Sequence, residues 1–187
     1  MQIHLKVAVI HSRTEVYVYM EWLIIGLVLA FLVSSVMWVM PSPRQRHQGT
    51  LRMRARQLGI QVQLAHLSLP RAKGEVDAET VIVPAYRFVR QNLSRSERDG
   101  WREWQVHRMD TINNEGLPDG WSWIKGEGSL NSAAFTQLKG LLNALPQDVV
   151  GVESTPLYLS LYWHERGDAA QLEWLHAQIQ PLLENKL

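Results

Sequence analysis

Apolar residues follow three rhythms along this chain, and each predicts a different kind of element. From Trp22 to Met40 (WLIIGLVLAFLVSSVMWVM) nineteen residues pass without a charge. The only polar members are Ser34 and Ser35, whose hydroxyls can bond back to a helical carbonyl. Such a run predicts a transmembrane helix, about 28 Å long at ~1.5 Å per residue against a ~30 Å hydrocarbon core. Trp22 and Trp38 fall near its ends, where indoles favour the headgroup level, and Pro41 and Pro43 end the helix. A buried helix of a globular protein rarely runs so long without a charge. A cleavable signal would stop at Ser35, yet the apolar run continues past it.

The second rhythm is helical. Residues 44–58 place Leu51, Ala55 and Leu58 on one face among arginines, with Gly59 set to end the helix. Asn131 or Ser132 caps a helix through about Leu145, with Phe135, Leu138, Leu141, Leu142 and Leu145 inward and Pro146 as its stop. Asp168 caps a last helix, Ala169 to about Leu183, burying Leu172, Leu175, Ile179 and Leu183.

The third rhythm is alternation, the mark of strands. It appears at 60–67, at 80–91 (where Pro84 suggests an edge or a bulge), at 101–109, briefly at WSWIKGE, and at VVGVES and PLYLSLYWHE. Residues 70–77 read as a loop, 92–100 as a polar connector and 113–120 as a turn. The opening IHLKVAVIH and EVYVYM also alternate, although they precede the apolar run by only a few residues. Met20 offers an alternative start, and N-terminal sequencing that found Met1 or Gln2 would refute it.

The expected plan is α+β: one N-terminal transmembrane helix, then a small sheet of about five strands with two amphipathic helices. Its segments are a short N-terminal stretch (1–20), the transmembrane helix (21–40), a basic juxtamembrane collar (41–59) and an α+β domain (60–187).

Charge adds an orientation. The formal net charge of +1 hides a strong asymmetry, because Arg44, Arg46, Arg52, Arg54 and Arg56 follow the apolar run with no acid among them. Residues 60–187 carry 12 Lys/Arg against 16 Asp/Glu. By the positive-inside rule the larger part faces the cytoplasm, with the N-terminus outside. The five arginines are also candidates for binding an anionic leaflet, each contributing ~1 kcal/mol near the surface. Nucleic acid is not an expected partner, since the rest of the chain is acidic.

Candidate chemistry is sparse. Without cysteine there is no thiol catalysis, Cys-ligated zinc or iron–sulfur site, and none of the common nucleotide-binding or hydrolase motifs occurs. No cofactor or metal is expected. His164-Glu165 at a strand end could serve acid–base chemistry, but neighbouring strand residues face apart. Glu153 is a second candidate carboxylate, and His107 and Asp110 also face apart. Trp101, Trp104, Trp121 and Trp123 crowd into 23 residues. They form either an aromatic core or an exposed interface, with Trp121 and Trp123 as the partner-binding pair in the second case.

The pattern MEWL…WVMPSPRQR…LRMRARQLG…NEGLPDGWSW…VVGVESTPLYLSLYW resembles a group of single-pass bacterial inner-membrane proteins. In plan it is similar to the YajC accessory subunit of the preprotein translocase, with one anchor, a basic collar and a small cytoplasmic domain. The domain here is longer, and the resemblance implies no activity and no residue roles. The expectation is an inner-membrane-anchored, non-enzymatic interaction domain, acting as a scaffold or subunit beside a protein partner. The alternative is a membrane-tethered enzyme using His164 and Glu165 or Glu153. Gly26 and Ala30, at small-xxx-small spacing, permit a homo-oligomer through helix pairing.

Overall fold

The computed structural model describes residues 19–35, 37, 40–68 and 80–187. The alternating opening segment as far as residue 18, Trp38 and the loop expected at 70–77 lie outside the described residues, and Tyr19 and Met20 of that segment are helical. The chain divides into two compact units, residues 1–46 and 47–187.

In the first unit, residues 19–35 form helix α1. The span expected over Trp22–Met40 runs past this stretch, and among the described residues no helix is long and apolar enough to cross a membrane. What α1 does show is apolar side chains exposed in every direction: Trp22, Leu23, Leu27 and Phe31 are 69%, 67%, 68% and 74% exposed. Ser35 donates its hydroxyl to the Phe31 carbonyl at 2.9 Å, so its polarity is satisfied within the helix.

Helix α2 (Pro43–Gln57) begins at a capping box rather than simply following a break. Ser42 Oγ accepts from the Gln45 amide at 3.3 Å, and Gln45 Oε1 accepts from the Ser42 amide at 2.8 Å. Pro43 sits at the first helical position, where its missing N–H is no loss. Gly59, at φ 75°, turns the chain out of the helix.

The second unit is a six-stranded antiparallel sheet with helices on one face. The strands are β1 (Ile60–Ser68), β2 (Thr80–Val89), β3 (Trp104–His107), β4 (Ser122–Lys125), β5 (Val149–Ser154) and β6 (Tyr158–Trp163), in the order β1-β2-β6-β5-β3-β4. The remaining helices are α3 (Arg95–Asp99), α4 (Ser132–Ala144) and α5 (Ala169–Glu184). The α+β expectation holds, with six strands where about five were expected. Pro84 does not make β2 an edge strand. It lies one residue beyond the stretch of β2 paired to β6, Ala85 to Val89, so its missing N–H breaks nothing there.

The core lies between the sheet and α2, α4 and α5. Tyr86, Trp104, Trp121, Trp163, Leu138, Leu161, Leu172 and Leu175 are among its fully buried members. Tyr86 and Trp163 meet edge to face at 5.1 Å. Leu51 and Ala55 of α2 belong to the same core, at 1% and 0% exposure. The apolar face of the expected collar is thus covered by protein, and no apolar stripe of α2 remains to lie in a leaflet.

Candidate functional site

The carboxylate nominated at Glu165 is a structural fastening. β6 ends at Trp163, and Asp148 accepts from the Trp163 indole N–H and the Arg166 amide, curling the chain. Glu165 takes φ 57°, a left-handed conformation, and its side chain points fully into the protein. Arg52 of α2 grips both oxygens, Nε to Oε1 at 2.7 Å and Nη2 to Oε2 at 2.8 Å, and the Tyr86 hydroxyl donates to Oε1 at 2.9 Å. The hydrogen bond it donates to Glu165 raises the Arg52 pKa, and burial, followed by the nearby carboxylate, pushes the Tyr86 pKa up. With both oxygens engaged and the side chain wholly buried, this carboxylate is not presented to a substrate. His164 is half-buried, and its backbone amide donates to the Asp148 carbonyl at 2.9 Å.

The other collar arginines divide. Arg54 donates to Glu173 of α5 across the surface, with Nε to Oε1 at 2.8 Å, and His47 Nε2 lies 2.8 Å from the Gly167 carbonyl. Arg46 Nε donates to the Pro41 carbonyl at 3.2 Å, and Arg44 and Arg56 are exposed. Arg52 and Arg54, two of the five candidates for leaflet binding, therefore hold α2 against the domain.

Glu153 lies on the sheet face opposite the helices. Pairing aligns Gln105, Glu153, Ser160 and Arg87 in one row across four strands, with His107, Gly151 and Tyr162 in the next. The Tyr162 hydroxyl donates to Glu153 Oε2 at 2.8 Å, and the His107 ring stands edge-on to Tyr162 at 5.9 Å. Gly151 permits this approach, since a Cβ there would come within 2.8 Å of His107 Cδ2. His107 is 1% exposed, and burial lowers its pKa to about 4, so it is neutral near neutral pH. Sequence reading could not find this group, because the cross-strand register that assembles it leaves no local pattern.

Trp121 and Trp123 resolve toward the core, at 1% and 4% exposure. Arg108 stacks over Trp121 at 4.6 Å while donating to the carbonyls of Leu145, Pro146 and Val149. An exposed pair of indoles is not what these residues form. Trp123 nevertheless lines the wall of a cleft of about 400 Å³, together with Phe135, Leu130, Glu115 and Glu127. Its indole N–H donates to the Glu115 carbonyl at 3.2 Å, and its ring stacks on Phe135 at 6.2 Å. Gly116 lets the loop close over Phe135: its φ is 72°, and a Cβ would lie 2.8 Å from that ring.

This cleft combines aromatic walls with two carboxylates, and neither Glu115 nor Glu127 forms an ion pair among the described residues. Lys139 Nζ lies 4.9 Å from the Phe135 centroid, so a cation already uses one of these rings. The chemistry suits a cationic group on an aliphatic stem, such as a lysine or arginine side chain. Among the described residues, no group of three or more His, Asp or Glu side chains is placed to hold a metal ion. No protein-family model, curated protein or solved structure matches the chain.

Proposed function

We propose that this chain is a single-pass protein of the bacterial inner membrane whose folded domain acts in the cytoplasm as an interaction module. It serves there as scaffold or accessory subunit of a membrane complex. The observation that carries the reading is α1. Its consecutive apolar residues from Trp22 to Val33 are all exposed, with only Gly26 and Ala30 as small members. Water opposes such a helix at roughly 25 cal/mol per Å² of apolar surface, whereas hydrocarbon accepts it without a polar face. The charge-free continuation to Met40 extends the run to membrane-spanning length. The arginines that follow favour a cytoplasmic domain by the positive-inside rule, which acts on the chain during insertion and is indifferent to later pairing.

The partner is a protein presenting a basic side chain to the Trp123 cleft. The supporting features are the two carboxylates, which form no ion pair among the described residues, and the stacked rings beside them. A docked cation there gains from both, and its aliphatic stem covers the apolar wall. The test is affinity capture of the full-length protein from gently solubilised membranes, beside the variant carrying Glu115→Gln and Glu127→Gln. The expected result is a stoichiometric membrane partner with the natural chain and its loss with the variant. A solitary protein, or equal capture by both, contradicts the reading.

A further inference from the structure

Four polar side-chain atoms without hydrogen-bond partners among the described residues gather at one end of the sheet: Arg90 Nη1, Trp101 Nε1, Trp104 Nε1 and Ser129 Oγ. Their surroundings explain why the chain itself leaves them unpaired. Arg90 is 4% exposed and spends Nε on the Thr155 carbonyl at 3.0 Å and Nη2 on Ser154 Oγ at 2.9 Å and the Leu187 carbonyl. Its guanidinium lies 4.3 Å from the Trp101 ring centroid. Trp104 is 1% exposed and leads β3. Guanidinium and indole nitrogens can only donate, so these groups call for an acceptor from outside the chain.

Trp101, Trp104 and Ser129 line one cavity of about 390 Å³. Leu93, Leu130 and Leu187 supply apolar wall. The charged residues lining it are Arg102, Lys186 and Glu97, and Lys186 is bonded to Glu97. The start of α4 opens onto the same space: Asn131 and Ala134 line it, and the first helical turn carries no acid. That helix end adds a positive dipole to the orphan donors. The cavity is distinct in place and in charge from the Trp123 cleft, sharing only Leu130 with it.

We propose that this cavity binds a small organic carboxylate with an apolar body, the carboxylate facing the indole and hydroxyl donors and the body lying against the leucines. The volume admits a ligand of a dozen or so heavy atoms, and the unpaired indole N–H groups favour an acceptor head. A charged head gains more from the same donors than a neutral one does, and Arg102 adds a long-range attraction.

The test uses the full-length protein in lipid nanodiscs, with tryptophan indole nitrogens labelled for NMR, and phenylacetate as the probe. Phenylacetamide serves as the uncharged isostere. The expected result is a saturable shift of the Trp101 indole signal with phenylacetate, and binding about tenfold weaker with phenylacetamide. Trp101→Phe keeps an aromatic ring, smaller than the indole, and removes one donor. It should weaken phenylacetate binding about tenfold, read from the remaining indole signals. Arg102→Gln, at an exposed position that carries no core packing, should weaken phenylacetate several-fold and leave phenylacetamide unchanged. If Trp101→Phe fails to fold, the Arg102→Gln comparison decides alone. Equal binding of acid and amide, a shift that never saturates, or no shift at all would show that the orphan donors are met by water only and would overturn the proposal.

Discussion

Helix α1 carries 13 apolar residues in 17 and helix α5 carries 9 in 16, and the two treat them in opposite ways. In α5, Leu172, Leu175, Ile179 and Leu182 are buried along one stripe, while the residues between them meet solvent or the rim. Asp168 caps its first turn by accepting from the Gln171 amide at 2.9 Å. At its far end the Leu187 amide reaches back to the Leu182 carbonyl at 2.9 Å and the Lys186 amide to Leu183 at 3.2 Å, with Lys186 at φ 55°. That Schellman turn folds Leu187 under the core. α1 has no stripe to bury and no described neighbour burying it. Apolar content says only that water is disfavoured; the period of the pattern says whether protein or lipid replaces it.

The contrast can be broken from either side, and the largest expected effect is in α5. Leu175→Ala removes a side chain 1% exposed in the core and should cost about 2–5 kcal/mol, read as a lower urea midpoint. Leu27→Ala in α1 should leave that midpoint unchanged. Leu27→Lys acts on the other medium: a charge mid-helix costs roughly 2.5–3.5 kcal/mol of insertion. It should move the full-length protein out of the carbonate-resistant membrane fraction without altering the domain's melting. Loss of domain stability instead would mean that α1 is packed against protein.

Much of this contrast was legible in the sequence. Leucine spacing, caps at Asn131 and Asp168 and the Pro146 stop located α4 and α5 to within a residue or two. Helix α3 falls in the stretch expected to be a polar connector, although Ser94 and Glu97 form a complete capping box, a signal present in the sequence at the right spacing. The contacts of α2 are hidden from the sequence for a different reason. Arginines at Arg52 and Arg54 advertise their charge in any context, and only the tertiary fold shows that Glu165 and Glu173 meet them. The Trp123 cleft and the polar rows of the sheet depend on loop closure and strand register, which local pattern does not carry.

The middle-sized effects concern buried polar groups. For His107 the folded pKa, about 4, lies below the unfolded value near 6.5, so the unfolded chain binds the proton first. The stability that comes from keeping this ring neutral is complete above 6.5 and is lost as pH falls toward 4, at up to about 1 kcal/mol per unit. Urea titrations across that window should show this slope, and His107→Leu should flatten it. Glu165→Gln leaves Arg52 with a neutral partner and should cost about 1–3 kcal/mol, detected as weaker protection of α2 amides from hydrogen exchange. Least affected is Arg54→Ala. Its pair with Glu173 is 40% and 49% exposed, so a change of about 0–1 kcal/mol is expected.

The central claim, one crossing with the domain inside, is most directly tested by cysteine labelling, because the chain has no cysteine of its own. Single cysteines replace Glu21, before the apolar run, and Lys125, at the exposed end of β4. Spheroplasts are then treated with a membrane-impermeant maleimide. The account expects Glu21→Cys to label in intact spheroplasts and Lys125→Cys to label only after permeabilisation. The reverse pattern would contradict the topology, and equal labelling of both in intact spheroplasts or in the soluble fraction would contradict the anchor itself.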